Sequence, residues 1–409
     1  MLLDFFFHRL IKRGRLTVIR VNGDRKTYGS LPGPEATIRL HDRGVAHRIA
    51  LNPTLGAAEA YMDGRLTMED GCELYDLLAV ATINMEGHWK PGILKLHVVL
   101  GRWTRRFWQH NPIRRAKRNV AHHYDLSDDL YELFLDSNRQ YSCAYFEHPN
   151  QDLETAQLRK MQHIASKLLL EPDQSVLDIG SGWGGLAMHL AQSSGASVHG
   201  LTLSEEQFKV ATNRAAASGL ADQVSFALQD YRRENKLYDR IVSIGMFEHV
   251  GLKHYNEYFA KAKQLLKPNG VMLMHTIGRW DGPGSTDPFI RKYIFPGAYT
   301  PALSEIMPAV ERSGLVVTDV EVLRLHYAET LRAWRRRFQA NWDKAKELYD
   351  ERFCRMWEFY LGGCEVAFRH LGLVVFQVQL ATRQEAVPLV RDYITDSDRG
   401  HQSAELAAE

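Results

Sequence analysis

The chain is poor in cysteine: Cys72, Cys143, Cys354 and Cys364 are all it has in 409 residues, and none forms a Cys-x-x-Cys pair. That excludes a disulfide scaffold and a thiolate zinc site, and reduced thiols in a cytosolic protein are the simple expectation. Long apolar runs are missing too. Nowhere do about 18 uncharged apolar residues follow one another, so any membrane contact is expected to be peripheral. The apolar N-terminus carries its charges after the apolar run and shows no small-residue cleavage site, which speaks against a secretory signal. Acidic residues are absent between Glu86 and Asp125, where Lys90, Lys95, Arg102, Arg105, Arg106, Arg114, Arg115, Lys117 and Arg118 all fall. The net charge of +2 hides this uneven distribution.

Within that basic stretch, residues 94–108 thread Trp103, Phe107 and Trp108 among arginines. A solvated connector would explain the charge alone. The aromatic residues favour an interfacial helix that lies in the lipid headgroup region, and they disfavour nucleic acid as the partner. Upstream, short extended patterns at residues 16–21, 36–40 and 46–51 read as strands, and helical spacing takes over at residues 55–84 with a turn at Met62-Asp63-Gly64. The expected domains are a small α+β unit over residues 1–100, a basic aromatic linker over 101–118, a large domain over 119–385 and a tail over 386–409.

From residue 151 the chain alternates helix and strand. Helices are expected at 153–170, 186–193, 205–218 and 255–266, and strands at 176–179, 198–201, 224–228, 240–244 and 271–275. This alternation predicts a doubly wound, mostly parallel α/β sheet whose ligands sit at the carboxyl ends of its strands. Further helices at 304–313, 329–343 and 345–370 and strands at 316–322 and 374–381 close the pattern.

The first strand breaks into Asp178-Ile179-Gly180-Ser181-Gly182-Trp183-Gly184-Gly185 and then a helix. Glycine is needed at such a corner because the backbone takes positive φ and lets a ligand approach its amides. A phosphate loop would end in Gly-Lys-Ser/Thr, and this turn has no lysine. A dinucleotide site would place an acid at the end of the second strand. That strand ends in Thr202-Leu203-Ser204 instead. An adenosyl ligand without a pyrophosphate fits better than NAD or a nucleoside triphosphate.

Six blocks in order, the glycine turn among them, resemble the cyclopropane-fatty-acyl-phospholipid synthase family. The others are Gln140-Tyr141-Ser142-Cys143-Ala144-Tyr145-Phe146, Met246-Phe247-Glu248-His249-Val250-Gly251, Met274-His275-Thr276-Ile277-Gly278, His326-Tyr327-Ala328-Glu329-Thr330-Leu331 and Tyr360-Leu361-Gly362-Gly363-Cys364. The resemblance covers residues 119–383. It implies a Rossmann-like class I methyltransferase domain that uses S-adenosylmethionine, preceded by a small α+β lipid-binding domain. It also implies cofactor contacts at Tyr141, Ser142, Gly180, Gly182, Trp183, Thr202, Leu203, Gln207, Asp230 and Tyr231. Ser181 stands where the family often has cysteine.

What the resemblance implies chemically is methylene transfer from S-adenosylmethionine to the cis alkene of phospholipid acyl chains. Such a reaction leaves a cationic chain carbon, so the pocket must exclude water, and a base must take a proton from the new methyl. Aromatic walls suit the cation, and Tyr145, Phe146, Phe247 and Tyr293 are candidates. In the family the base is a bound bicarbonate, and its holders match Cys143, Glu248, His275, Tyr327 and the Ile277 amide, with Glu248 as proton relay. Cys364 matches a family cysteine near the pocket. Taken singly, these residues could be a helix cap, a satisfied histidine, a core aromatic and a small buried hydrophobe. A metal is not expected, since the adjacent His122-His123 pair lacks a third ligand at suitable spacing. The expected partners are a phospholipid bilayer and a second copy of the chain, at the inner face of the membrane, with no nucleic acid. A methyl- or methylene-branching enzyme of the same family is the alternative, and a lipid-transfer protein with a vestigial cofactor site is the competing reading from another class.

Overall fold

The computed structural model describes residues 2–85 and 126–396. The basic aromatic stretch, the linker over 101–118 and the His122-His123 pair lie outside the described residues. The chain divides into two compact units. One comprises Met1–Thr104, Ser285–Pro296 and Ala328–Leu373, and the other comprises Arg105–Gly284, Gly297–Tyr327 and Val374–Glu409.

The first unit opens with α1 (Leu2–Leu10), then β1 (Arg13–Ile19), β2 (Arg25–Tyr28), β3 (Leu31–Leu40), α2 (Arg43–Leu51), α3 (Pro53–Met62), β4 (Leu66–Met68) and α4 (Leu74–Ile83). Its sheet runs in the order β2-β1-β3-β4, with β1 and β3 parallel. Alternation along β1 sends Leu16 and Val18 into a core shared with Phe7, Ile38, Val45 and Ile49. The expected strand at residues 46–51 is a helix instead. Asp42 accepts hydrogen bonds from the amides of Gly44 and Val45, and Val45, Ile49 and Ala50 then share one buried face. The cap and the i, i+4 spacing override the extended look of the run. Within the expected helical region 55–84, residues 66–68 pair with β3 as a strand.

The second unit holds α5 (Asp128–Glu132), α6 (Leu153–Leu168), β5 (Ser175–Ile179), α7 (Gly185–Ser194), β6 (Ser197–Thr202), α8 (Glu205–Ala217), β7 (Val224–Leu228), β8 (Tyr238–Ile244), α9 (Tyr255–Leu265), β9 (Leu266–Arg279), α10 (Leu303–Ser313) and β10 (Val316–Leu323). The chain passes through α11 (His326–Ala340), α12 (Trp342–Leu348) and α13 (Glu351–His370), and returns on β11 (Leu373–Ala381). In the first unit α13 packs on α3 and α4.

The large sheet has the order β10-β11-β9-β8-β5-β6-β7. Strands β9, β8, β5, β6 and β7 pair in parallel, while β10 and β11 are antiparallel. Apolar side chains of α6 and α7 cover one face through Met161, Ile164, Leu168, Leu186 and Leu190, and α9 and α10 cover the other through Tyr258, Phe259, Ile306 and Val310. This is the doubly wound α/β architecture expected from the alternating pattern. Order reverses on either side of β5, so the crevice beyond the carboxyl ends of β5 and β8 is the natural ligand position. Among the described residues no helix is long and apolar enough to cross a membrane.

Candidate active site

All ten residues expected to contact an adenosyl cofactor line one cavity at the carboxyl ends of β5, β6, β7 and β8. At its floor the turn after β5 holds Gly180 at φ +90° and Gly182 at φ +53°. A Cβ on Gly180 would come within 3.0 Å of the Met246 side chain, which lines the same cavity. Gly180→Val is therefore expected to weaken S-adenosylmethionine binding by at least about tenfold in calorimetric titration, because it adds backbone strain of roughly 1–3 kcal/mol to a steric conflict. Binding within twofold of wild type would show that the turn does not bear on the cofactor.

The walls are locked by local hydrogen bonds. Thr202 Oγ1 donates to Gln207 Oε1 at 2.9 Å, and Ser204 caps α8 through the Gln207 amide. Trp183 Nε1 donates to Asp128 at 2.8 Å, and its ring lies 4.8 Å from that of Tyr131, which in turn meets Tyr141 edge-on. Asp230 is engaged by the Arg232 amide and guanidinium, so it fixes the turn that presents Tyr231. Asp178 is nearly fully buried in the cavity wall with Oδ2 unpartnered, and burial pushes its carboxyl up to about 7. A glycine corner, amide and hydroxyl donors and an aromatic rim suit an adenosyl group, and the two arginines of the lining, Arg139 and Arg232, are paired with Glu132 and Asp230.

Beside this cavity, Glu248 follows β8 and His275 lies in the buried stretch of β9. The register pairs Ile244 with His275, and the Gly245 amide donates to the His275 carbonyl at 2.9 Å. Residues two apart on a strand share a face, so Ile277 follows His275 on the same side. The Ile277 amide donates to Glu248 Oε1 at 2.6 Å, while Glu248 Oε2 is buried without a partner. Burial pushes the Glu248 carboxyl up to about 7 and the His275 imidazole down to about 3. His275 is thus neutral at physiological pH, and Glu248 is poised between its two forms.

Cys143 is fully buried, with its thiol directed to the Ala144 carbonyl at 3.3 Å. The Phe146 amide donates to His326 Nδ1 at 3.0 Å, which ties the loop of Tyr141, Ser142 and Cys143 to the start of α11, where Tyr327 is buried. Tyr145 stacks between His163 and His326. Cys364 lies on α13 in the first unit, and desolvation pushes its thiol up to about 12. Of the aromatic candidates, Phe247 is wholly in the core against Tyr255, Tyr258 and Phe259, and Tyr293 donates to Glu59 within the first unit.

Sequence reasoning missed the polar layer beneath these groups. Lys160 and Lys167 of α6 are fully buried. Lys160 Nζ donates to Gln140 Oε1 at 2.5 Å and to Ser142 Oγ at 2.9 Å, and its charge acts on both Cys143 and His275. Lys167 Nζ donates to Gln377 Oε1 at 2.8 Å. The available signal was the pair Gln377 and Gln379 two apart in an otherwise apolar strand, both fully buried.

Comparison with known proteins agrees with this geometry. The family described as mycolic acid cyclopropane synthetase matches residues 111–378. The Escherichia coli cyclopropane-fatty-acyl-phospholipid synthase is 40% identical over 355 residues, covering 86% of this chain and 88% of that one. Tuberculostearic acid methyltransferase UfaA1 of Mycobacterium tuberculosis is 36% identical over 389 residues, covering 90% and 89%. The crystal structure of mycolic acid cyclopropane synthase CmaA1 complexed with SAH and CTAB superimposes with a TM-score of 0.62 at 35% identity, covering 66% of this chain and 99% of that one. With this fold and this cofactor cavity, the chain belongs to the mycolic acid cyclopropane synthetase family and is an S-adenosylmethionine-dependent methyltransferase.

Proposed function

We propose that the chain transfers a methylene unit from S-adenosylmethionine to the cis double bond of unsaturated acyl chains in membrane phospholipids, forming cyclopropane rings. The observation that carries this reading is the Glu248 carboxyl, pinned at one oxygen by the Ile277 amide and unpartnered at the other. When bound, S-adenosylmethionine supplies an electrophilic methyl group. Tyr141, Ser142, Trp183 and the glycine turn hold it, and Thr202, Leu203, Gln207, Asp230 and Tyr231 line the remainder of its cavity. Attack by the alkene leaves a cation on the acyl chain, so the residues around it must keep water away and accept one proton.

Bicarbonate is the base in this reading, because neutral His275 and the Tyr327 hydroxyl are donors and protonated Glu248 is a further one through Oε2, while the Cys143 thiol, directed to the Ala144 carbonyl, would have to turn to join them. A carboxylate beside an anion is repelled unless the two share a proton, and a carboxyl near 7 holds that proton readily. The Ile277 amide is engaged by Glu248, so in this arrangement it supports the anion through the carboxyl. Purified protein with S-adenosylmethionine, bicarbonate and vesicles carrying cis-monounsaturated chains should give lipid heavier by one methylene per alkene. No mass gain would overturn the reading. The similarity to a tuberculostearic acid methyltransferase supports a second outcome, an open methyl branch, which product NMR separates from a ring.

The same reading places the chain on anionic membrane through its N-terminal domain and the basic linker over 101–118. The support is the acid-free sequence between Glu86 and Asp125, since each basic group near an anionic surface contributes about 1 kcal/mol. Cosedimentation with phosphatidylglycerol vesicles should fall steeply as salt is raised. Equal binding to neutral vesicles would contradict an electrostatic contribution.

A further inference from the structure

Behind His275 runs a buried chain of side chains that the reaction scheme does not use. Gln377 Nε2 lies 3.3 Å from His275 Nδ1, and Lys167 Nζ donates to Gln377 Oε1 at 2.8 Å. Lys167 also pairs with Glu321, whose Oε2 is 2.7 Å from His163 Nε2. Gln377 and Lys167 are both fully buried. The groups come from three elements packed together: Lys167 and His163 from α6, Glu321 from β10 and Gln377 from β11.

An ammonium group has donors only, so the end of Gln377 that faces Lys167 must be its carbonyl oxygen. The opposite orientation would set an amide N–H₂ against an ammonium. With its oxygen committed, Gln377 presents N–H₂ to His275, and the ring nitrogen it meets must be an acceptor. A neutral imidazole carries one hydrogen, so that hydrogen belongs on the other nitrogen.

We propose that Gln377, anchored by the Lys167–Glu321 pair, is the positioning residue that fixes His275 as the Nε2–H tautomer and thereby makes it an obligatory hydrogen-bond donor to an anion in the active site. The tautomer rests on the geometry alone. Its use toward an anion rests on the function proposed above, and the two are read by different measurements. The charged groups around the ring are Lys160, Lys167, Glu321 and His163, and burial holds it neutral among them.

Long-range ¹H–¹⁵N correlation on histidine-labelled full-length protein, with His275→Asn to assign the signal, tests it. The expected result is a non-protonated Nδ1 and a protonated Nε2 in the wild type. A protonated Nδ1, or a doubly protonated ring, would overturn the inference. Gln377→Glu keeps a partner for Lys167 and presents an acceptor to the ring, so the hydrogen should move to Nδ1. A wrongly held tautomer costs about 10⁴-fold where the ring itself carries the proton, and here a loss of at least about tenfold in kcat/KM is expected, with S-adenosylmethionine affinity unchanged. A lost activity with an unmoved tautomer would show that Gln377 acts only in packing. Should that variant fail to fold, the wild-type spectrum still decides. A correct tautomer, with turnover indifferent to bicarbonate in both proteins, would overturn the anion reading and leave the tautomer standing.

Discussion

Glu248→Gln will slow product formation by about 10²–10⁴-fold, the range typical of losing a positioned acid–base group, while S-adenosylmethionine still binds. Glutamine keeps an acceptor for the Ile277 amide and nearly the same volume, but it cannot exchange a proton. The same substitution carries a stability signature with a definite sign. In the folded chain the carboxyl titrates at about 7, against about 4.3 in an unfolded chain, so between these values the folded chain holds a proton that the unfolded one has released. The group's contribution is complete below the lower value and is lost as pH rises through the upper one. Removing it removes that loss. Calorimetric Tm of the variant relative to wild type should therefore rise between about pH 4 and pH 7, the window set by this shift. A slow variant whose relative Tm falls with pH would indicate a disrupted fold rather than a missing proton carrier.

Lys160→Met will lose about 3–5 kcal/mol of stability, the cost expected when one member of a buried charged network is removed and the rest stay. Lys160 is fully buried, and burial pushes its ammonium down to about 8. It satisfies Gln140 and Ser142 directly, and its charge acts on Asp136 and Asp178. Methionine fills the space but strands both acceptors. Gln140, Ser142 and Asp178 all line the cofactor cavity, so the dissociation constant for S-adenosylmethionine should also rise more than tenfold. Urea denaturation and calorimetric titration check the two effects. A loss below about 1 kcal/mol, the scale of a surface ion pair, would mean that Lys160 is not part of the site's foundation.

The parallel sheet was legible in the sequence because its strands are short apolar runs punctuated by glycine turns. Residues 224–228, for example, are a strand in both the sequence pattern and the structure. The small unit was harder to read. Residues 46–51 look extended until Asp42 is recognised as a cap, and the three residues of β4 are too few for a period to show. One long helix was expected at 345–370, but the chain breaks after Leu348 and restarts at Glu351, where Asp350 accepts from the Phe353 amide. The site's front was legible as ordered blocks of residues. Its support was not, because nothing local marks the polar Gln157, Lys160, His163 and Lys167 of α6 as buried, and only the packed fold shows Gln157 and Lys160 closing on Gln140 and Ser142, His163 on Glu321 and Lys167 on Gln377. Local sequence reports whether a side chain is polar. It does not report that a polar face has found partners inside.

The most direct test of the central claim is to supply S-adenosylmethionine with a trideuterated methyl group and read the lipid product by mass spectrometry and NMR. Ring closure requires one hydrogen of that methyl to leave, so the account predicts a cyclopropane that keeps two of its three deuteriums. An open methyl branch that keeps all three would show that no base acts on the transferred methyl, and would contradict the assignment of Glu248 and His275 to its deprotonation.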